Sequence, residues 1–218
     1  ADEFIASTPK FLSLYDALSI VPPVFVTLPP ILSPEGKKKL SKRDGAKDVL
    51  EYRQEGYVPE AFVNFLALLG WNPGGEKEIM TKEEIINLFD INKIHKSGAM
   101  FNEEKLLWMN KEHIKLQPKE EQMKNIKPYF GVYDQGLLTR LLPTIIDRIS
   151  TYGELHEIEA TEFRFFIMAP SFDETSIEKV TWKDSGKAEA KTNLQGILGL
   201  LKESDFESSS SIKERLMP

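Results

Sequence analysis

The chain has 218 residues, 41% of them hydrophobic, enough to bury one sizeable core or two smaller ones. It contains no cysteine, which excludes a disulfide framework and any thiolate metal site. Its net charge is −6, and its most apolar stretch, residues 12–32, holds Asp16 and four prolines and so does not fit a membrane-spanning helix.

In chain order, a helix is expected over about Pro9 to Leu18. Val24-Phe25-Val26-Thr27-Leu28 follows, a β-rich run bounded by Pro22-Pro23 and Pro29-Pro30, as in a buried strand. A basic loop comes next, between Gly36 and Gly45. Asp48 to Arg53 reads as a short helix stopped at Gly56. Pro59 suits a first helical position, and Gly70 ends the apolar run Phe62 to Leu69. Thr81-Lys-Glu-Glu84 is a capping box opening a helix through Phe89. Asn102-Glu103-Glu104 caps and charges the start of the next helix, Lys105 to Asn110.

From residue 116 onward the pattern stays helical. Leu137 to Ile149 is one amphipathic run that Pro143 should kink or divide. Thr161 to Met168 is another, stopped by Ala169-Pro170. Ser171-Phe-Asp-Glu174 offers a second capping box before Ile177 to Trp182. Leu194 to Lys202 is a further helix, weakened by Gly196 and Gly199. Ser208 to Ser211 is a joint before a last short helix, Ile212 to Met217. The fold class is therefore mainly α, in three regions: 1–46, 47–115 and 116–218. Trp71, Trp108 and Trp182 are expected to pack in the core or between helices, with stacking on bases as the other reading. His95, His113 and His156 lack metal-ligand spacing, so no metal site is expected.

The basic loop carries the chemistry. Residues 37–48 hold six basic and two acidic side chains, a local +4 in a chain of −6. Positive charge concentrated in this way points to a local anionic ligand. Several cations and small donors on a backbone bounded by glycines suit a triphosphate, and strand, mobile loop, helix is a phosphate-handling order. The Gly-x-x-x-x-Gly-Lys-Ser/Thr pattern of a P-loop is absent. A solvated loop, a localisation signal and a nonspecific nucleic-acid patch are the other readings of such a run.

Lys39-Leu40-Ser41-Lys42-Arg43 resembles the KMSKS signature of class I aminoacyl-tRNA synthetases, in the KLSKR form of the glutamyl-tRNA synthetase family. The likeness extends through Thr8-Pro9, Leu14-Tyr15, Leu28-Pro29, Gly45-Ala46 and Val49-Leu50-Glu51-Tyr52-Arg53. It continues over Gly56-Tyr57-Val58-Pro59-Glu60-Ala61, Asn64 to Trp71, Phe101, Lys105-Leu106 and Trp108-Met109-Asn110. It is close over residues 1–115 and patchy beyond. The family's other signature, His-x-Gly-His, is absent, and Ala1-Asp2-Glu3 resembles the middle of an Arg-Gly-Glu-Asp stretch.

The resemblance therefore implies the C-terminal part of a bacterial-type glutamate–tRNA ligase, inactive by itself. Residues 1–46 would be the end of a Rossmann-type catalytic domain, 47–115 a helical stem-contact domain and 116–218 a partial, truncated helical anticodon-binding region. Glutaminyl relatives follow the loop with β-barrels, whereas this tail is helical; a shorter paralogue that glutamylates a modified tRNA base lacks the tail. Implied substrates and partners are ATP with Mg²⁺, L-glutamate and tRNA(Glu), in a cytoplasmic monomer with no membrane contact. Lys39 and Lys42 would be catalytic, and Lys39, Ser41, Lys42 and Arg43 would hold the ATP phosphates. Leu40 would anchor the loop in an apolar niche. The middle region would brace the inner corner of the tRNA, and Lys93, His95 and Lys96 form a small polar loop that meets phosphate or is simply solvated. A noncatalytic helical tRNA-binding module and a helical interaction scaffold are the alternatives.

Overall fold

Helix formation follows the punctuation of the sequence. The computed structural model describes residues 2–44, 46–168 and 186–200, and these are mainly helical. A 3-10 turn, Asp2–Ser7, leads into α1 (Thr8–Ala17). Asp48 opens α2 (Val49–Gln54) by accepting from the Leu50 N–H, while Glu51 accepts from the Asp48 N–H. Pro59 begins α3 (Pro59–Gly70), and the Thr81–Glu84 box opens α4 (Lys82–Leu88). Asn102 accepts from the Lys105 N–H at the start of α5 (Glu103–Leu116). Then come α6 (Lys119–Ile126), α7 (Gln135–Arg148) and the short α8 (Leu155–Ile158). The chain divides into two units, Ala1–Ile167 and Met168–Pro218, the second containing α9 (Lys187–Leu200).

Several expectations are corrected. No strand forms over 24–28: Val24 is 87% exposed, and Phe25, Val26 and Leu28 are about half exposed. A strand needs a neighbour for its N–H and C=O groups, and none lies beside this run among the described residues. Instead the Phe25 ring meets Tyr15 of α1 edge-on, centroids 6.4 Å apart. α5 extends six residues beyond Asn110, because its buried stripe (Leu106, Met109, Asn110, His113, Ile114) continues at three- and four-residue spacing and Pro118 is the first breaker.

Pro143 does not divide α7. It lies on the exposed face, four residues after an exposed Thr139, so the carbonyl it leaves unpaired can be met by water. Thr161 to Met168 is helical but irregular, a π-turn Glu159–Phe163 followed by a 3-10 turn Arg164–Phe166. That wide turn sets both Glu159 and Phe163 inward, the first against Tyr133 and Arg164, the second against Phe130. α9 starts earlier than expected, at Lys187. The elements expected over 171–182 and 208–217, with Trp182, fall outside the described residues. Trp71 is buried as expected, but Trp108 is 44% exposed, while its neighbours Met109 and Asn110 are fully buried.

Two apolar clusters make the core of the first unit. One joins Tyr52, Phe65, Leu69, Phe101, Leu106 and Met109; the larger is centred on α7, with Ile126, Phe130, Ile145, Ile149 and Leu155. Helices α3 and α5 serve both, giving Phe65 and Met109 to the first and Ala61 and Ile114 to the second.

Between the clusters lie buried polar groups held mainly by backbone partners and by each other, although the Asn64 amide nitrogen is left without a hydrogen bond among the described residues. Asn110 accepts from the Val58 N–H at 2.8 Å and donates to the Ser150 carbonyl at 2.6 Å. Asn64 accepts from the Met80 N–H and from His113 Nε2, both at 2.9 Å. At the same seam two backbones cross. The Tyr152 N–H donates to the Gly56 carbonyl at 3.1 Å, and a Cβ on Gly56 would lie 2.2 Å from the Gly153 nitrogen. Gly56 also has φ +84°, so glycine is required there on two counts.

Two outcomes are expected. Gly56→Ala should cost about 2–5 kcal/mol in urea unfolding, from strain plus overpacking. Gly75→Ala, with φ +88° and open space around it, should cost only about 1–2 kcal/mol. Burial holds the His113 pKa below its usual 6.5, against a weaker opposing pull from Glu60. The unfolded chain therefore binds that proton more readily than the folded one. The stability tied to a neutral His113 is complete above about pH 6.5 and is lost as pH falls through the lower folded value. Urea midpoints measured from pH 7.5 to 5.5 should fall more steeply for the parent chain than for His113→Gln.

Candidate functional site

The basic loop is a clamped hairpin. Leu32 pairs antiparallel with Lys39 and parallel with Met100. The Leu40 N–H donates to the Ile31 carbonyl and the Ser33 N–H to the Lys38 carbonyl, both at 2.8 Å. On the other side the Leu32 N–H donates to the Ala99 carbonyl at 2.9 Å, and the Phe101 N–H donates to the Leu32 carbonyl at 3.0 Å. Gly36 turns the hairpin with φ +70°, its N–H on the Ser33 carbonyl. Gly98 lets the third segment come close: a Cβ there would lie 2.6 Å from the Pro30 carbonyl oxygen.

Leu40 is half-buried against the smaller cluster, beside a cavity of about 180 Å³ lined by Tyr52, Phe62 and Phe101. Its anchoring role is as expected. A 3-10 turn, Lys42–Asp44, follows, closed by the Ala46 N–H on the Ser41 carbonyl at 3.1 Å.

The cations divide into two kinds. Lys47 is held in place: its ammonium sits 2.9 Å from Glu55 and 5.3 Å from the centre of the Tyr52 ring, and the Glu55 bond raises its pKa. Lys42 is 82% exposed and meets the Asp48 carboxylate at 3.4 Å. The Asp48 carboxyl lies below its usual range, first through the Leu50 N–H and then through Lys42. An exposed ion pair of this kind is weak and readily exchanged for another anion. Lys37, Lys38, Lys39 and Arg43 are exposed around the same turn, and Ser41 is half-buried within it. Lys39, Ser41, Lys42 and Arg43 thus stand on one short segment, held by the Leu32 pairing on one side and by the Ser41–Ala46 turn on the other.

The polar loop at residues 93–96 does structural work. Lys93 Nζ donates to the Pro73 carbonyl at 2.5 Å and the His95 N–H to the Gly70 carbonyl at 2.9 Å. The residues that sequence reasoning did not assign to the site are 98–101. Gly98 is the one signal in the sequence for so close a backbone approach. Among the described residues no group of three or more His, Asp or Glu is placed to hold a metal, and no helix is long and apolar enough to cross a membrane.

Comparison with known proteins shows what the whole chain is similar to. Residues 1–108 match the family described as class I tRNA synthetases (E and Q), catalytic domain. A glutamate–tRNA ligase of Fervidobacterium nodosum is 40% identical over 181 residues, covering 83% of this chain and 38% of that protein. One from Bacteroides thetaiotaomicron is 35% identical over 234 residues, covering 97% of this chain and 45% of that protein. The crystal structure of a glutamate–tRNA ligase from Elizabethkingia meningosepticum, in complex with its amino acid, superposes with a TM-score of 0.77 at 32% identity. That match covers 99% of this chain and 45% of the other. The chain spans less than half the length of these relatives.

The clamp carries a direct expectation. Gly98→Ala should speed hydrogen exchange at the Leu32 and Phe101 amides, while the amides within α5 and α7 keep their protection.

Proposed function

The chain belongs to the glutamate–tRNA ligases, a class I tRNA synthetase family, and from that premise we propose that its basic hairpin handles the phosphates of ATP during glutamate activation. In this reading glutamate is joined to the α-phosphate of ATP, pyrophosphate leaves, and glutamate then passes to the 3′ end of tRNA(Glu). Negative charge grows on the pyrophosphate oxygens as the bond breaks. Cations that meet that charge lower the barrier more than cations that merely hold the substrate.

Lys42 is the first choice for this role and Lys39 the second. The Ser41 hydroxyl and neighbouring N–H groups add hydrogen bonds, and Arg43 adds charge at the margin. Mg²⁺ arrives with ATP as part of the substrate. Residues 1–46 would belong to the nucleotide-binding domain, 47–115 would brace the tRNA stem and 116–218 would be a helical anticodon-binding region, all in a cytoplasmic monomer. Because the sequence has no His-x-Gly-His motif, the 218 residues alone would not activate glutamate.

The observation that supports this most is the pairing of a fixed base with an 82% exposed Lys42 held by an exchangeable carboxylate, that of Asp48. A loop so built can move onto a ligand and return without disturbing the helices behind it.

In the complete gene product, Lys42→Ala should slow ATP–pyrophosphate exchange by roughly ten- to a thousand-fold. Tight, strongly salt-dependent tRNA binding by the complete product, without any exchange activity, would instead favour the noncatalytic module.

A further inference from the structure

We propose that the cleft between the α2–α3 link and α6 holds one unpaired RNA nucleotide, base and phosphate together. This deepens the tRNA-ligase reading and rests on it for the source of the nucleotide. The cleft has a volume of about 590 Å³, within the roughly 300–1,000 Å³ usual for small-molecule sites. Its framework is fixed in advance, because Gly56 and Tyr152, which both line it, are joined at the backbone crossing.

The chemistry of the lining selects the ligand. Arg53 and Lys124 are exposed cations at the cleft, but Glu60 and Glu121 line it too, so the site is close to neutral. A polyphosphate would prefer the hairpin, whereas a single phosphodiester needs no more than this. Lys124 sits 3.3 Å from Glu121 in an exposed pair that a phosphate can displace. Tyr57 and Tyr129 supply aromatic surface. Each is braced by another ring, Tyr57 edge-on to Tyr52 at 5.4 Å and Tyr129 edge-on to His156 at 4.8 Å. The Gln54 amide offers a donor and an acceptor, as a base edge requires, and the Asn125 amide, bonded on one side to the Tyr152 hydroxyl, has a second N–H and its oxygen to add. Stacking surface, amide edges and one or two cations are what proteins use to take a splayed base from single-stranded RNA.

The test follows backbone amide signals of the ¹⁵N-labelled 218-residue chain during titration with an unstructured RNA oligonucleotide, with 5′-AMP and with whole tRNA(Glu). The proposal expects the signals of Gln54, Tyr57, Asn125 and Tyr129 to move with the oligonucleotide, at concentrations well below those needed for 5′-AMP. Tyr129→Leu and Lys124→Ala should each weaken that binding roughly tenfold. Lys124 is solvent-exposed, so its variant keeps the test valid should Tyr129→Leu fail to fold. Equal affinity for 5′-AMP would overturn the RNA source in favour of a free nucleotide. Shifts confined to residues 36–48, or none in the cleft, would overturn the site. Whole tRNA that binds without moving the cleft signals would sink this inference and leave the ligase reading standing. Oligonucleotide binding in the cleft with no tRNA binding would sustain the nucleotide site while the ligase reading falls.

Discussion

The candidate site depends on the backbone pairing of Leu32, which faces Lys39 on one side and residues 99–101 on the other. A basic loop alone is a cloud of positive charge with no fixed position. Pairing its base on both sides removes most of that freedom and leaves it only to the residues that would meet a ligand. Lys42 and its neighbours can then rearrange over a small range, at small entropic cost, against a support that does not move. The glycines follow from this arrangement. Gly98 exists to let one backbone reach another, and Gly36 to reverse the chain within four residues.

The support continues into the helices. α5 begins two residues after Phe101 and runs past both apolar clusters, so one rigid element links the clamp to the α7 cluster. Its buried face is not wholly apolar. Asn110 and His113 sit on that face and are satisfied by Val58, Ser150 and Asn64. An apolar face can slide or rotate by a residue at small cost, whereas these bonds hold in only one register. They cost desolvation and in return fix how the helices meet.

Much of the helical fold was legible in the sequence because helix ends are local. Asp48, Thr81 and Asn102 cap their helices through bonds spanning three residues or fewer, and Pro59 needs only its own ring. What was not legible depended on distant partners. Whether residues 24–28 form a strand is decided by a neighbour, not by their β-branched content. Whether Pro143 breaks α7 is decided by which face meets water. The clamp at 99–101 and the crossing of Gly56 with Gly153 join residues about 67 and 97 positions apart (99 − 32 and 153 − 56), and only the glycines themselves hinted at them. The loop motif was readable as a motif. That Lys47 belongs to Glu55 and Tyr52, and not to a ligand, was not.

The most direct measurement is hydrogen exchange on the full-length protein, with and without glutamate and a non-hydrolysable ATP analogue. The account predicts slower exchange at residues 37–44 on binding, with the amides of Leu32, Leu40 and Phe101 unchanged. Nucleotide binding that leaves 37–44 untouched, or that opens the pairing at Leu32, would contradict it.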